Sequence, residues 1–238
     1  GVRFINFHEL QGGSQDDRFI INDGARMSAI RGGAGNDILD CSGWRGSLDV
    51  TIGGSARNVA EIDGIEVLVG NGNGTLQAPD GTNNWTISDG DIGGTFELVE
   101  NNQMVYRGFN QIKGGSGVDT FVFTLDNKDA QYTLDGGGGN EDSLEFLGGG
   151  EGWQGTYGGN NSDATFTFSS PAGSTTVGYR GMESIQLNAS LDLMTLTGSQ
   201  QMDSFHLNPQ SWQWNEFLRV SYGGELGGLR IEGNRNDL

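Results

Sequence analysis

The stretch Gly32-Gly33-Ala34-Gly35-Asn36-Asp37-Ile38-Leu39 decides the fold, because a glycine-rich turn leads into an aspartate and then into apolar residues. The same element recurs as an apolar residue, a glycine, an aspartate and another apolar residue. Its four complete copies are Leu10…Gly13…Asp17…Phe19, Ile30…Gly33…Asp37…Leu39, Ile112…Gly115…Asp119…Phe121 and Leu134…Gly138…Asp142…Leu144. Two copies are degenerate and one is cut off by the C-terminus: Leu68…Gly70…Gly74…Leu76, Ile185…Asn188…Asp192…Met194 and Ile231…Gly233…Asp237. Such self-similarity predicts a stack of repeated units, since one unit alone cannot bury its apolar face.

The spacing of the copies predicts a larger repeat. Their anchor positions 13, 33, 70, 115, 138, 188 and 233 are separated by 20, 37, 45, 23, 50 and 45 residues. A short step is thus followed by two long ones, twice. We expect a first superrepeat over 1–107, a second over 108–228 and the start of a third over 229–238. A second marker precedes four copies: Phe7-His8-Glu9-Leu10, Gly64-Ile65-Glu66-Val67-Leu68, Gly108-Phe109-Asn110-Gln111-Ile112 and Gly181-Met182-Glu183-Ser184-Ile185.

The glycine content and the short apolar groups predict an all-β fold. The chain has 43 glycines in 238 residues, and no segment shows a sustained 3.6-residue apolar period. We expect a parallel β-helix, or β-solenoid, of roughly 20–25-residue coils with little or no helix. The short step fits one coil and each long step fits two. The side chains expected to stack inward are Ile20, Ile21, Leu39, Val50, Phe121, Phe123, Leu144 and Phe146.

Charge and composition exclude several classes of partner. A formal net charge of −18 would repel a nucleic acid backbone or an anionic membrane surface. No stretch approaches the roughly 20 apolar residues of a membrane span. The single cysteine, Cys41, permits no internal disulfide, and the two histidines, His8 and His206, are isolated. The chain begins and stops inside the repeat pattern, so we expect it to associate with further copies or with the rest of a longer parent chain.

The segments Gly32–Leu39 and Gly114–Phe121 resemble the Gly-Gly-x-Gly-x-Asp-x-apolar nonapeptide of the RTX (repeats-in-toxin) family, as found in giant secreted bacterial adhesins and surface proteins. The resemblance implies an extracellular location, and calcium as the ion held between turns. Its candidate ligands here are Asp17, Asn36, Asp37, Asp119 and Asp142, paired as Asp17 with Asp37 and as Asp119 with Asp142. The copies are 20 or more residues apart, whereas RTX nonapeptides follow one another in tandem. The aspartates could therefore equally be turn formers that accept backbone N–H groups.

Repetition without a conspicuous unique site favours a non-enzymatic structural or adhesive module of a secreted surface, fibre or matrix protein. The alternative is a carbohydrate-binding or polysaccharide-processing β-helix, with surface glycans as partners. A lyase of that kind needs clustered acids with Arg or Lys, and basic residues are scarce. The five tryptophans, Trp44, Trp85, Trp153, Trp212 and Trp214, are expected to fill the core more often than to stack on sugars. Ice binding by a threonine-rich face is a third class, for which the sequence shows no regular Thr-x-Thr ladder.

Overall fold

The computed structural model describes residues 7–88, 93–98, 102–126, 129–160, 163–198, 204–206, 218–222 and 230–232, and these residues form strands and turns without a helix. The strands, in chain order, are β1 (Glu9–Gln11), β2 (Arg18–Ile20), β3 (Ala29–Arg31), β4 (Ile38–Asp40), β5 (Val50–Thr51), β6 (Ile62–Asp63), β7 (Val67–Val69), β8 (Thr75–Gln77), β9 (Asn83–Ser88), β10 (Gly93–Leu98), β11 (Asn102–Arg107), β12 (Gln111–Lys113), β13 (Asp119–Leu125), β14 (Ala130–Asp135), β15 (Ser143–Gly148), β16 (Gln154–Asn160), β17 (Asp163–Ser170), β18 (Gly173–Arg180), β19 (Ser184–Leu187), β20 (Leu193–Gly198), β21 (Ser204–His206), β22 (Leu218–Tyr222) and β23 (Arg230–Glu232). The prediction of an all-β chain is confirmed for the described residues.

Two long sheets dominate the fold. Sheet I is β1-β3-β6, sheet II is β19-β15-β13-β9-β10-β11-β7-β4-β2, and sheet III is β22-β20-β16-β17-β18-β14-β12-β8-β5; β21 and β23 form a separate pair. The chain crosses repeatedly between sheets, and most neighbouring strands run parallel. Glycine-rich turns make many of these crossings, where the backbone must reverse within a few residues, whereas residues 188–192 between β19 and β20 include no glycine.

The complete copies of the repeat pair in register, as the sequence predicts. Leu10 lies opposite Ile30 in sheet I, and Ile112 lies opposite Leu134 in sheet III. The strands that follow the turns pair equally well in sheet II, where Phe121 lies opposite Leu144. Equivalent apolar residues therefore form ladders along each sheet, the arrangement that buries the repeated apolar face.

The sheets are mixed, which differs from the expected single parallel coil. Strands β9, β10 and β11 form an antiparallel meander within sheet II, and β16, β17 and β18 form another within sheet III. These meanders account for the 45-residue step from position 70 to 115 and for the 50-residue step from position 138 to 188. The prediction that each of these two steps contains two coils is wrong. Their extra residues form antiparallel strands that add to a single sheet.

The core lies between the sheets and contains most of the predicted inward residues. Leu39, Val50, Phe121, Phe123, Leu144, Phe146 and Ile21 are buried. The prediction for Ile20 is wrong: its side chain is 59% exposed, because successive side chains of a strand point to opposite faces and Phe19 takes the inward one. Trp44, Trp85 and Trp153 are buried in the core, and Trp212 and Trp214 lie outside the described residues.

The described part of the chain contains no helix with the length and apolar character needed to cross a membrane.

Candidate functional site

Seven turns that lead into strands of sheet II within the described residues carry an acidic or amide residue just before the strand or at its first residue. Asp17 precedes β2, Asp37 precedes β4 and Glu66 precedes β7. In the second half, Asn83 and Asp119 begin β9 and β13, while Asp142 and Glu183 precede β15 and β19. Because these strands are neighbours in the sheet, the residues line up along the stack in two columns.

The first column consists of Asp17, Asp37 and Glu66. The backbone N–H of Asp17 donates to Oδ1 of Asp37 across 2.8 Å. The backbone N–H of Asp37 donates in turn to Oε2 of Glu66, also across 2.8 Å. Oδ2 of Asp17 accepts the N–H of Gly13 within its own turn. Asp37 and Glu66 thus each bind the backbone of the preceding coil, and the column ties three coils together.

The second column repeats this pattern with Asn83, Asp119, Asp142 and Glu183. The N–H of Asp119 donates to Oδ1 of Asp142, and the N–H of Asp142 donates to Oε2 of Glu183, both across 2.8 Å. Oδ2 of Asp119 accepts the N–H of Gly115. The side-chain amide of Asn83 donates to Oδ1 of Asp119 at 2.6 Å. The second column therefore has one additional member, an amide that caps its first carboxylate.

Two positions beside these carboxylates require glycine, because the backbone of the neighbouring turn lies too close for a side chain. A Cβ on Gly32 would lie 1.8 Å from the carbonyl oxygen of Gly64 and 2.4 Å from Oδ2 of Asp37. A Cβ on Gly114 would lie 2.1 Å from the carbonyl oxygen of Gly136 and 2.4 Å from Oδ2 of Asp119. Real Cβ atoms do not approach backbone so closely, so only glycine lets the turns stack at this distance.

The sequence missed part of both columns. In the sequence, Glu66 and Glu183 appear only within the marker segments that precede the repeat. In the structure they take the place that aspartate has in the other turns, and their longer side chains accept the backbone N–H of the aspartate in the preceding coil. Gly70 and Asn188 are not degenerate copies of the element, since the turns after β7 and β19 lead from sheet II to sheet III. Gly108-Phe109-Asn110 also leads in that direction. An acid directly before the strand does not separate the two classes, because Asp49, Asp129 and Asp192 directly precede strands of sheet III.

Burial controls the electrostatics of the second column. Asp119 is fully buried; burial raises its pKa to about 6, with the Asp142 charge acting in the same direction against the hydrogen bonds from Asn83 and Gly115. Burial also raises the pKa of Asp142, aided by the nearby Glu183 and Asp135 charges. The column therefore holds carboxylates whose ionised form is disfavoured by the fold.

The five predicted calcium ligands are only partly brought together. Asp17 meets Asp37 and Asp119 meets Asp142 through the bonds described above, whereas Asn36 is exposed on its turn and donates its N–H to Asp16. The described residues contain no group of three or more His, Cys, Asp or Glu side chains placed to hold a metal ion. Oδ2 of Asp37 is buried and accepts no hydrogen bond from the described residues. Calcium at these pairs stays a prediction.

Two other features bear on chemistry. An open surface depression of about 640 Å³ near the start of the described chain is lined by His8, Arg26, Met27, Ser28, Ser55, Ala56, Asn58, Val59 and Ala60. The Cys41 thiol is buried, and desolvation followed by the Asp40 charge raises its pKa to about 12. It is therefore protonated at neutral pH and is a poor nucleophile.

No protein-family model, curated protein or solved structure matches this chain, so its function is argued from the geometry of its own residues.

Proposed function

We propose that this chain is a non-enzymatic structural or adhesive module of a secreted bacterial surface, fibre or matrix protein. The carboxylate columns carry the proposal. Asp37 and Asp142 are the kind of buried acid that enzymes use, yet here they and the two glutamates bind backbone N–H groups of the preceding coil. They thus hold strands together along the stack, which is the role that a rigid spacing module needs.

The finer architecture belongs to the same proposal. We regard the molecule as a β-solenoid whose coils of roughly 20–25 residues are interrupted by the two antiparallel meanders. Acidic residues outnumber basic ones by 31 to 13, which favours an extracellular setting rich in divalent cations. Calcium would neutralise paired carboxylates in the columns when it is bound.

The test is whether the module behaves as a rigid spacer. Two copies of the chain are joined in tandem, and small-angle X-ray scattering measures the maximum dimension of the single and the double chain. A spacer adds about one module length per copy, whereas a compact self-contained domain gives two particles with a broad distribution of separations. The second result would contradict the proposal. Scattering from the single chain at several dilutions provides the control for association.

Carbohydrate binding is the second candidate, and the open surface depression beside His8 and Arg26 favours it. His8, Arg26, Ser28, Ser55 and Asn58 supply donors and acceptors suited to sugar hydroxyls or an acidic sugar. The described tryptophans are buried and provide no stacking platform. Retention of the chain by a polysaccharide column, with loss of retention in Arg26→Ala but not in Arg57→Ala, would favour this function over the structural one.

A further inference from the structure

The first coil leaves an open strand edge at one end of the stack. Within the described residues β1 pairs only with β3, and β2 pairs only with β4. The bonds from β1 to β3 use the carbonyl of His8 and the N–H of Gly12. Because backbone groups alternate in direction along a strand, those of Glu9 and Gln11 point away from β3. This edge is therefore a template on which another strand can pair.

The edge strand of sheet III, β5, is covered by its own chain instead. The N–H of Thr51 donates to the carbonyl of Ser55 at 2.7 Å, and the N–H of Arg57 donates to the carbonyl of Asp49 at 3.1 Å. Among the described residues nothing covers β1 or β2 in this way. Proteins commonly protect the edges that must stay unpaired, so the uncovered edge of β1 favours pairing with another chain.

Two further observations mark the same end of the stack. Oδ1 of Asp17 accepts no N–H from the described residues, whereas Oδ1 of Asp37 and of Asp142 each accept the N–H of the aspartate one coil earlier. The two large apolar side chains that are exposed among the described residues, Phe7 and Ile20, both belong to this first coil. The carboxylate column and the apolar surface thus both stop where one more coil would continue them.

A strand that matches this edge lies near the other end of the chain. β23 pairs in parallel with β21, with Ile231 opposite Phe205, just as Leu10 lies opposite Ile30. All four strands have three residues and an apolar residue at the centre. Within the described residues β23 pairs with no other strand. It therefore offers an edge of the same length and pattern as that of β1.

Charge complements this match. Along sheet I, Arg31 contacts Glu61 at 2.8 Å and Glu9 at 3.6 Å, so opposite charges alternate from strand to strand. In the register of β1 and β3, β23 would place Arg230 directly opposite Glu9. Opposite charges facing each other across a strand pair stabilise it, and like charges destabilise it. The alternation would thus continue across the new pair.

Strand β23 of the same chain cannot reach β1. β22 and β5 lie at opposite ends of the nine-stranded sheet III, about 38 Å apart along the sheet, and β1 lies one coil beyond β5. Residues 223–229 connect β22 to β23, and a connection of this length spans at most about 28 Å. A β23 strand that pairs with β1 therefore comes from a second copy.

We propose that β23 of one copy adds in parallel to β1 of the next copy, with Ile231 opposite Leu10. The two pairs then form one five-stranded sheet, β21-β23-β1-β3-β6, across the boundary between copies. Because the two surfaces of this contact differ, each copy keeps one free edge of each kind, and repetition of the contact produces a filament. The inference rests on the proposed structural role and deepens it by naming the contact that joins modules end to end.

Sedimentation equilibrium of the full chain over a series of concentrations tests the proposal. The wild-type mass should rise with concentration without a plateau at twice the monomer mass. Gln11→Pro should prevent the rise and preserve the melting temperature, because the N–H that it removes points away from β3. Glu151→Arg, at an exposed turn outside both strands, is the control and should associate like the wild type.

A charge exchange identifies the partner strand. Glu9→Arg and Arg230→Glu should each raise the concentration needed for association at least about fivefold, since like charges then meet across the contact. The two single variants change the net charge in opposite directions, so a general charge effect cannot weaken both. The double variant Glu9→Arg/Arg230→Glu restores an opposite pair and should associate like the wild type.

Four outcomes would overturn the proposal. They are a wild-type chain that stays monomeric, a mass that stops rising at the dimer, a Gln11→Pro variant that associates like the wild type, and a double variant that is as weak as the single ones. The tandem-chain scattering experiment joins modules covalently, so it can still support the structural role when this contact fails. Association in the predicted pattern by modules that scatter as separate, loosely linked particles in tandem would contradict the structural role alone.

Discussion

The backbone N–H of Asp119 donates to Oδ1 of Asp142 across 2.8 Å, although 23 residues separate them in sequence. Asp17 and Asp37 have the same relationship at a separation of 20 residues. A side chain that ends one turn thus satisfies the backbone of the turn stacked beside it. Asp37 and Asp142 thus each link their own coil to the preceding one, and the predictions below follow from these links.

Removing an acceptor from the column should destabilise the fold. Asp142→Ala leaves the buried N–H of Asp119 without its acceptor, which costs about 1–3 kcal/mol in the free energy of unfolding. Asp142→Asn retains an acceptor oxygen and should cost less. Asp16→Ala removes an exposed bond to the N–H of Asn36, which water can replace. Urea denaturation measures all three, and equal losses for Asp142→Ala and Asp16→Ala would contradict the structural role of the column.

Adding one methyl group at Gly32 should be severe. Gly32→Ala places a Cβ within 1.8 Å of the Gly64 carbonyl oxygen, so the stacked turns must separate at a cost of about 1–3 kcal/mol or more. Gly13→Ala is the matched control in the neighbouring turn, because its Cβ would meet nothing within 4 Å. Thermal unfolding followed by circular dichroism compares the two, and similar melting temperatures would show that the turns are not closely stacked.

Stability should fall as the pH rises through about 6. Asp119 has a pKa of about 6 in the folded chain against an ordinary value of 3.8, so the folded state holds a proton that the unfolded chain has lost. The stabilisation is fully present below about pH 4 and is lost above pH 6, with a size on the order of 2 kcal/mol. Asp119→Asn should flatten this part of the profile. Free energies of unfolding measured from pH 4 to pH 8 test this prediction. If the free energy of unfolding of Asp119→Asn falls with pH as steeply as that of the wild type, a group other than Asp119 causes the fall.

Calcium should raise the melting temperature if it binds the paired aspartates. Divalent charge would relieve the repulsion between Asp119 and Asp142 and supply a partner for Asp37 Oδ2. Asp37→Asn should reduce the gain in melting temperature, and Asp49→Asn, an exposed carboxylate outside the columns, should not. A melting temperature that is unchanged by calcium at about 1 mM and by chelation would show that the aspartates act only as turn formers.

Much of the fold was predictable from the repeat alone. The Gly-x-x-x-Asp spacing places Phe121 beside Leu144 because equal turns return the chain to equivalent positions in neighbouring strands. The glycine content and the absence of a helical period determine the all-β class. Ile20 shows where this logic stops, since a run of two apolar residues does not say which one faces inward.

The sequence by itself determined the strand class and the in-register pairing of the complete copies, because the same turn element at a step of 20 to 23 residues returns the chain to equivalent positions in neighbouring strands. Only the tertiary structure decided that Glu66 and Glu183 complete the columns, that the long steps form antiparallel meanders, and that Thr156, Thr167 and Thr176 share one row. The physical reason is that each of these features joins residues from different coils. A hydrogen bond or a row across strands depends on which strands become neighbours, and that choice is made by burial of the whole core.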